Sequence, residues 1–369
     1  MSNMRQILRE ELARHSPISF ARFMELALYC PNFGYYEQLD ASPGRQGDFY
    51  TSVSVGGLFG ELLANQFAER LATMPAESRQ IVEAGAHDGR LAVDILRRLR
   101  SAQPEVFKSV EYWILEPSAN RRKSQEKTLG DLVEKVRWFE SWSALPPGGI
   151  NGVIFANELL DAMPVHRLGW DAVNQKWFEW GVALNGDALI WTKVVADLDS
   201  FHSALRTPHS AFLDLPRELL AVLPDGFTTE VCPAAVNWWR QAARALKAGK
   251  LITFDYGLEA EQFFTPERKE GTLRAYHQHR QNGELLARPG EQDITSQVNF
   301  TVIREAGEAE GLQTEAFLTQ ARFLTGVVRR ELEKNPSSQE WTPGRTRQFQ
   351  TLTHPELMGR AFQVLIQAR

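Results

Sequence analysis

Two acidic side chains stand where short apolar runs end, and both runs are typical of buried strands. Glu83 lies near the end of the run 80–84, which leads into Gly85-Ala86-His87-Asp88-Gly89, and Glu116 follows the run 111–115. Glycines at a strand-to-helix turn allow positive φ and a close approach of the backbone to a ligand. An acid at the end of the first strand can hold an ammonium group, and one after the second can accept both ribose hydroxyls of a nucleoside. The pattern therefore predicts a nucleoside site at one edge of a sheet.

The spacing of the glycines distinguishes between nucleosides. A dinucleotide site would show Gly-x-Gly-x-x-Gly, whereas Gly85 and Gly89 are separated by three residues and preceded by the acid Glu83. An anion at this place suits a cationic ligand better than a phosphate, and S-adenosylmethionine carries an ammonium, a sulfonium and a ribose. The alternative, an ordinary tight turn between a strand and a helix, stays open at this point.

A third polar group follows the apolar run 152–156. It consists of Asn157, Glu158 and Asp161. An amide and two carboxylates within one turn can grip a cationic substrate group or orient a nucleophile. The alternative is that they cap the next helix, since all three residue types suit a first helical turn.

These side chains need a scaffold in which several strands end at one edge. From residue 79 onward, apolar strand-like runs alternate with runs of helical spacing, which predicts an α/β fold with a parallel sheet and helices on both faces. The expected strands are 80–84, 111–115, 136–139, 152–156 and 250–254, with 314–317 as a candidate last strand. The expected helices of this part are 91–99, 121–129, 232–246 and 300–310, and the tail 320–369 is expected to be mostly helical.

Breaks in this alternation predict three parts of the chain. Residues 1–78 are expected to form an N-terminal helical cap and a loop rich in aromatic residues. Residues 79–164 and 226–369, including the long connection 257–298, are expected to form the sheet domain. Residues 165–225, with two strand-like runs followed by an irregular stretch, are expected to form an inserted substrate lobe.

Composition narrows the classes of function. The chain has 369 residues and a net charge of −5, which argues against a protein that coats nucleic acid through a basic surface. The two cysteines, Cys30 and Cys232, exclude a disulfide framework and a four-cysteine zinc site. His277 and His279 have no third metal ligand nearby in the sequence, so no metal site is predicted.

Location and partners follow from what the sequence does not contain. No apolar stretch approaches the ~20 residues that span a bilayer, and the first residues lack the apolar run of a secretory signal. We therefore expect a cytoplasmic protein with neither membrane nor nucleic acid as a partner. A homo-oligomer is compatible with the sequence.

Several motifs together resemble the MidA-like methyltransferases, bacterial relatives of the mitochondrial arginine methyltransferase that assists the assembly of respiratory complex I. The resemblance spans nearly the whole chain, and its most specific block is Asn157-Glu158-Leu159-Leu160-Asp161-Ala162-Met163-Pro164. The other matching segments are 28–36, 47–52, 83–89, 115–125, 254–257, 271–276, 289–295 and 358–365. The resemblance implies a class I Rossmann-like methyltransferase fold, S-adenosyl-L-methionine as the cofactor, and a protein substrate methylated on arginine.

The glycine loop departs from the family pattern. Family members usually carry Gly-Pro-Gly-x-Gly, and here His87 replaces the middle glycine. If this position needs positive φ or closeness to the cofactor, the substitution weakens binding or changes its geometry, although histidine tolerates left-handed backbone better than a β-branched residue does. A competing hypothesis is therefore a weak or inactive methyltransferase scaffold that acts as a binding or assembly factor. A third is methyl transfer to a small molecule or to another protein side chain.

Roles of individual residues follow from the motifs and the resemblance together. The aromatic loop is expected to close over the cofactor; a surface loop that packs on itself is the alternative. Trp142 can cover the adenine face and Ser141 can reach its amino group, although a tryptophan packed between strand and helix is an equal alternative. The expected cofactor-binding residues are Glu83, Gly85, His87, Gly89, Glu116, Pro117, Ser141, Trp142, Asn157, Gly47, Thr51 and Tyr36.

Methyl transfer chiefly requires the enzyme to position two reactants. If the acceptor is an arginine, its guanidinium must be oriented and relieved of charge, and carboxylates do this by binding the guanidinium fork with two hydrogen bonds. The expected catalytic residues are Glu158, Asp161 and Asp48, with Asp255 in reserve.

Overall fold

The computed structural model describes residues 4–38, 51–205, 215–278, 280–334 and 341–369. The helices are α1 Met4–His15, α2 Phe20–Tyr29, α3 Leu58–Leu71, α4 Arg90–Ala102, α5 Pro104–Ser109, α6 Ala119–Leu129, α7 Leu198–Leu205, α8 Arg217–Val222, α9 Pro233–Ala245, α10 Phe300–Ala309, α11 Gln320–Lys334 and α12 Pro343–Thr353. The strands are β1 Ile18–Ser19, β2 Arg79–Ala84, β3 Val110–Leu115, β4 Val136–Phe139, β5 Ile150–Asn157, β6 His166–Asp171, β7 Lys176–Asn185, β8 Ala188–Val195, β9 Thr228–Val231, β10 Leu246–Leu258, β11 Arg274–His277, β12 Arg280–Asn282, β13 Asp293–Thr295, β14 Val298–Asn299, β15 Gln313–Thr319 and β16 Phe362–Ala368.

The largest sheet has eight strands. Their order is β15-β16-β10-β5-β2-β3-β4, with β14 beside β10. Strands β10, β5, β2, β3 and β4 run parallel, and β16 lies antiparallel between β10 and β15. Apolar side chains of α3, α4 and α11 pack on one face, and those of α9 and α10 pack on the other. Each central strand contains a stretch of buried, mostly apolar residues, because both faces of the sheet are covered. The predicted α/β fold is confirmed.

The expectation that the tail 320–369 is mostly helical is wrong for its last segment. Phe362–Ala368 forms β16, which is an inner strand of the sheet. Two glutamines interrupt its apolar run, so its local pattern does not distinguish a short strand from a turn of helix. One of them, Gln367, is fully buried and satisfied: it accepts a hydrogen bond from Trp239 Nε1 at 2.8 Å and donates to Thr314 Oγ1 at 3.0 Å.

Two smaller sheets lie beside the large one. The order of the first is β1-β7-β6-β9, with β8 paired to β7, and that of the second is β12-β11-β13. The stretch 185–223, which we expected to be irregular, contains β8, α7 and α8. Ile18 of β1 pairs with Val182 of β7, so the N-terminal part shares a sheet with the antiparallel strands β6 and β7. The boundaries of the three parts stay a prediction.

None of the helices within the described ranges is both long enough and apolar enough to cross a membrane. Among the same residues, no group of three histidine, cysteine or acidic side chains is arranged to hold a metal ion.

Two glycines allow close approach between central strands. A Cβ atom at Gly152 would lie 1.8 Å from the carbonyl oxygen of Gln80, and one at Gly249 would lie 1.8 Å from that of Gly152. Both obstructing atoms belong to the backbone of the sheet, so they cannot move aside as a flexible side chain could. These positions therefore fix the spacing of β2, β5 and β10.

We expect Gly152→Ala to destabilise the fold by about 3 kcal/mol or more, because the added methyl group must push β2 and β5 apart. The measurement is the midpoint of urea unfolding. Gly283→Ala is the matched control, since a Cβ atom at Gly283 would meet nothing within 4 Å. Equal midpoints for the two variants would contradict this account of the sheet.

Candidate functional site

The carboxyl ends of β2, β3, β5 and β10 meet at one edge of the large sheet, as parallel neighbours must. Polar residues predicted from the sequence lie at each of these ends. They are Glu83 on β2, Glu116 after β3, Asn157 at the end of β5 and Asp255 on β10. Ligands of open parallel sheets bind at this edge.

The turn between β2 and α4 is held in left-handed backbone at three residues. Gly85 has φ 74°, His87 has φ 47° and Gly89 has φ 85°. A Cβ atom at Gly85 would also lie 3.0 Å from Leu159 Cδ1. The position of His87 thus does require positive φ, and the histidine adopts it at a cost in backbone strain of about 1 kcal/mol or more.

Glu83 lies beneath this turn and is 2% exposed. Its carboxyl group accepts a hydrogen bond of 2.6 Å from the hydroxyl of Tyr112. Burial raises the pKa of Glu83 to about 8, against the opposing effect of the Tyr112 hydrogen bond. Its contact with an ammonium group stays a prediction.

Glu116 is held by two donors after the end of β3. Its Oε1 atom accepts from the backbone N–H of Ser118 and its Oε2 atom accepts from Gln125 Nε2, both at 3.0 Å. Gln125 Nε2 also donates to the carbonyl oxygen of His87 at 3.0 Å, which ties the acid to the glycine turn. Burial raises the pKa of Glu116, and the hydrogen bonds from Ser118 and Gln125 oppose this effect. Each carboxylate oxygen has a further lone pair, so the group can accept additional hydrogen bonds.

The N-terminal segment 35–38 lies against this side of the site through Arg121. The guanidinium of Arg121 donates to the carbonyl oxygen of Tyr36 at 2.5 Å and to His87 Nε2 at 3.2 Å. The sequence analysis assigned no role to Arg121 or to Gln125. Both lie on α6, and from the sequence alone a polar side chain on a helix is expected to face solvent.

Thr51 and Ser52 follow directly after a stretch that the structure does not describe. Thr51 exchanges backbone and side-chain hydrogen bonds with Ser54, and the backbone N–H of Ser52 donates to Glu158 Oε1 at 3.0 Å. Gly47 and Asp48 lie outside the described residues, and their expected roles stay predictions.

Ser141 and Trp142 lie in the turn after β4. The Oγ atoms of Ser141 and Ser143 are 2.9 Å apart. The indole of Trp142 meets that of Trp238 edge to face, with 5.4 Å between ring centroids. One side of Trp142 is therefore packed against another aromatic ring, as the alternative interpretation expected. Its contact with adenine stays a prediction. The role of Pro117 also stays a prediction.

Four acids lie close together: two follow the end of β5, one is on β10 and one is on β13. We call Glu158, Asp161, Asp255 and Asp293 the acid cluster. The residues after β5 form a turn instead of the first turn of a helix, so the helix-capping alternative does not describe them. Asp161, Asp255 and Asp293 are at most 5% exposed. Asp293 was missed by the sequence analysis; its only signal was its place in a motif of the family resemblance.

Asp255 has a structural role within the acid cluster. Its Oδ2 atom accepts the backbone N–H groups of Leu159, Leu160 and Asp161 at 2.8–3.4 Å, and its Oδ1 atom accepts that of Tyr256. The other two acids of the turn are less well satisfied. Glu158 Oε2 and Asp161 Oδ1 are buried and have no hydrogen-bond partner among the described residues.

Crowding of buried acids sets the protonation of the acid cluster. Burial raises the pKa of Glu158 to about 8, and the charges of Asp255 and Asp293 add to this effect. Burial raises the pKa of Asp161 well above its usual range, with further contributions from the charges of Asp255, Asp293 and Glu158. Asp161 and Asp255 are neighbours, and four backbone amides favour the charged form of Asp255. When one proton is shared between these two acids, it therefore belongs on Asp161.

Aromatic rings border the acid cluster. Tyr36 stacks on Tyr29 with ring centroids 5.5 Å apart. The Tyr36 hydroxyl donates to Asp293 Oδ1 at 2.7 Å, and that of Tyr29 donates to the carbonyl oxygen of Ala162 at 2.9 Å. Burial, followed by the charge of Asp293, raises the pKa of both tyrosines.

Among the described residues, the charges that act most strongly on Glu158 and Asp161 are those of other acids. Two buried carboxyl oxygens without donors, beside electron-rich ring faces, suit a ligand that brings both cationic charge and N–H groups. Asn157 adds a third acceptor, because its Oδ1 atom is also buried and has no partner among the described residues. The chemistry of these three acceptors therefore matches that of a flat, multidentate cation.

Comparisons with known proteins agree with this geometry. The family model Methyltransf_28, which describes S-adenosyl-L-methionine-dependent methyltransferases, matches residues 62–318. The Drosophila melanogaster protein named Protein arginine methyltransferase NDUFAF7 homolog, mitochondrial, is 27% identical over 97% of this chain and 83% of its own length. The Homo sapiens protein named Protein arginine methyltransferase NDUFAF7, mitochondrial, is 27% identical over 94% of this chain and 79% of its own.

Two solved structures are similar over nearly the whole chain. A crystal structure of a superfamily member from Burkholderia thailandensis bound to S-adenosyl-homocysteine is 32% identical with a TM-score of 0.81, covering 99% of this chain and 92% of that one. A native crystal structure from the same organism is 29% identical with a TM-score of 0.80, covering 99% and 91%.

The raised pKa of Glu83 predicts how stability depends on pH. The folded protein binds this proton more tightly than the unfolded chain, whose glutamate has a pKa of 4.5. The contribution to stability is therefore complete below pH 4.5 and is lost as the pH rises to about 8. We expect the loss to be on the order of 5 kcal/mol, at about 1.4 kcal/mol for each pH unit.

Glu83→Gln tests this expectation, because the amide still accepts from Tyr112 but does not titrate. Urea unfolding measured from pH 4.5 to 8 should show a shallower loss of stability in the variant than in the wild type. Glu126→Gln, at an exposed position of α6, is the control and should follow the wild type. Parallel curves for wild type and Glu83→Gln would rule out the buried proton.

Proposed function

Because this chain belongs to the S-adenosyl-L-methionine-dependent methyltransferase family Methyltransf_28, we propose that it transfers the methyl group to the guanidinium of a protein arginine. The observation that carries the proposal is the acid cluster, in which a buried oxygen of Glu158 and one of Asp161 have no donor among the described residues. The names of the NDUFAF7 relatives, arginine methyltransferases at about a quarter identity, support the same acceptor.

The residues at the sheet edge fit S-adenosyl-L-methionine. When bound, this molecule supplies a methyl group on a positively charged sulfur. Glu116, already oriented by Ser118 and Gln125, would accept the ribose hydroxyls. The left-handed turn from Gly85 to Gly89 would let the backbone approach the ligand, and the free Oδ1 atom of Asn157 would accept from its ammonium group.

The remaining expected contacts belong to the same proposal. Tyr36 and Thr51 lie on the N-terminal side of the site, and Ser141 and Trp142 lie beyond β4. Gly47 would complete the loop that covers the ligand.

The acid cluster would act on the acceptor. Ionised Glu158 and Asp161 would each accept an N–H group of the guanidinium and so fix the nitrogen that attacks the methyl carbon. A methylated guanidinium nitrogen would have to lose a proton, which one of the two carboxylates could take; the sulfur of the cofactor would keep the electron pair of the bond that the methyl group leaves. Asp48 is a further candidate for this role. Burial, followed by the charges of neighbouring acids, raises the pKa of Glu158 and Asp161, and a cation entering the cluster would favour their ionised forms.

The expected partner, location and oligomeric state of the protein are also proposals. A protein partner follows from the arginine acceptor. The NDUFAF7 relatives are mitochondrial by name, and a cytoplasmic location of this chain stays a prediction, as do its oligomeric state and the lack of a nucleic-acid partner.

Calorimetry with S-adenosyl-L-methionine tests the cofactor half of the proposal. We expect Glu116→Ala to weaken binding by about 1.5–3 kcal/mol, the range for hydrogen bonds to a charged group. Glu126→Ala, which removes an exposed acid of α6, should bind as the wild type does. Unchanged affinity in Glu116→Ala would mean that the ribose lies elsewhere. No binding by the wild type would instead favour the scaffold hypothesis.

Glu158→Gln tests the acceptor half, since it keeps the size of the side chain and its hydrogen bond with Ser52 but removes the charge. We expect cofactor affinity within about twofold of the wild type and a loss of methyl transfer of about 100-fold or more, as for removal of one acid–base group. The assay measures labelled methyl groups on an array of arginine-centred peptides. Glu134→Gln, at an exposed position, is the control, and full activity of Glu158→Gln on such a peptide would refute the proposed role.

A further inference from the structure

A buried arginine connects the glycine turn to the acid cluster. Arg121 is 4% exposed, and its guanidinium donates to three acceptors. These are the carbonyl oxygen of Tyr36 at 2.5 Å, His87 Nε2 at 3.2 Å and the carbonyl oxygen of Gln38 at 3.3 Å. The acceptors come from two segments that are distant in sequence from α6 and from each other.

The contact with His87 depends on the imidazole. Arginine can only donate, so Nε2 of His87 is the acceptor and the ring proton lies on Nδ1. A glycine at this position would have no such acceptor. The departure of this chain from the family loop therefore creates the hydrogen bond between the turn and Arg121.

The turn at one end of this connection is part of the candidate cofactor site. Gln125 Nε2 donates both to the carbonyl oxygen of His87 and to Glu116 Oε2. A movement of the turn when the ribose binds at Glu116 would thus reach His87 directly.

The N-terminal segment 35–38 lies at the other end. Its Tyr36 hydroxyl donates to Asp293 Oδ1 at 2.7 Å, and its Glu37 accepts from Ser118 Oγ at 3.0 Å. A continuous series of hydrogen bonds therefore runs from the turn through His87, Arg121 and Tyr36 to the acid cluster.

Burying a guanidinium costs several kcal/mol unless its donors are satisfied. Burial is the main reason why the pKa of Arg121 lies below its usual range. An apolar side chain could fill the same space between α6 and segment 35–38 without this cost. What the arginine adds is a single rigid group that contacts both the turn and the segment.

We propose that Arg121 is a positioning residue that couples cofactor binding to the assembly of the acceptor site. Cofactor bound at the turn fixes His87, His87 fixes Arg121, and Arg121 holds Tyr36 against Asp293. The bound cofactor thereby stabilises the arrangement of the acceptor side. The identities of the two ligands rest on the proposed function.

Hydrogen–deuterium exchange of residues 29–38, with and without saturating S-adenosyl-homocysteine, tests this coupling without an acceptor. In the wild type, we expect the ligand to slow exchange of these amides about fivefold or more, the lower end of couplings between sites. His87→Gly should still bind the ligand, because glycine suits the left-handed backbone, but should lose the ligand-dependent slowing. His87→Gln, which offers an acceptor near the place of Nε2, should restore at least part of it.

Two further variants separate coupling from a merely structural role. Arg121→Met should abolish the ligand-dependent slowing. Lys123→Met removes a positive charge from an exposed position of the same helix and should behave as the wild type. Because the His87 variants leave the bonds from Arg121 to segment 35–38 intact, they keep the test valid if Arg121→Met does not fold.

Equal slowing in the wild type and His87→Gly would overturn the coupling. Loss of ligand binding in His87→Gly would overturn it as well, since the imidazole would then serve the ligand and not Arg121. If the wild type binds S-adenosyl-homocysteine but methylates no arginine peptide, the acceptor assignment fails while the coupling stands. If the wild type does not bind S-adenosyl-homocysteine, both fail.

Discussion

The carboxylate of Asp255 fixes the turn on which the rest of the site depends. By accepting three successive backbone N–H groups after β5, it joins this turn to β10 without a helix. The turn is thus held by its backbone, and the side chains of Glu158 and Asp161 are left to face the site. The negative charge that stabilises the turn also makes ionisation of its neighbours costly. Asp255 therefore contributes both to the shape of the turn and, together with burial, to the raised pKa values of Glu158 and Asp161.

The parallel core could be predicted because its strands carry their own signal. Each of β2, β3, β5 and β10 contains a short stretch of buried apolar residues close to its carboxyl end, as burial on both faces requires. The antiparallel strands β8 and β16 were missed for different reasons. β8 contains no buried residue, and its polar and apolar residues do not alternate, whereas β16 contains two glutamines whose partners are known only after folding. In both, pairing with a distant strand decides the structure, and a local pattern does not record it.

The same division holds for the candidate site. Glu83, Glu116, Asn157 and Glu158 could be located because each stands at a strand end, and the parallel sheet brings such ends together. Arg121, Gln125 and Asp293 could not, since they reach the site from a helix and from a long connection whose placement depends on tertiary packing. His87 was recognised as a departure from the family loop, but sequence alone presents it as a defect. Its partner, Arg121, becomes visible only when α6 is packed against the turn.

The position of β16 in the sheet bears on how the chain is made. Strand β10 has its outer edge covered by β16, yet about a hundred residues separate the two in the sequence. During translation, the backbone amides and carbonyls on the outer edge of β10 therefore stay unpaired with β16 until the residues of β16 have been synthesised. An apolar strand with a free edge is a site of association between unfinished chains. The partly synthesised chain therefore exposes the outer edge of β10 until β16 has been made. Association between unfinished chains, and protection by chaperones that bind strand edges, are expected in this interval.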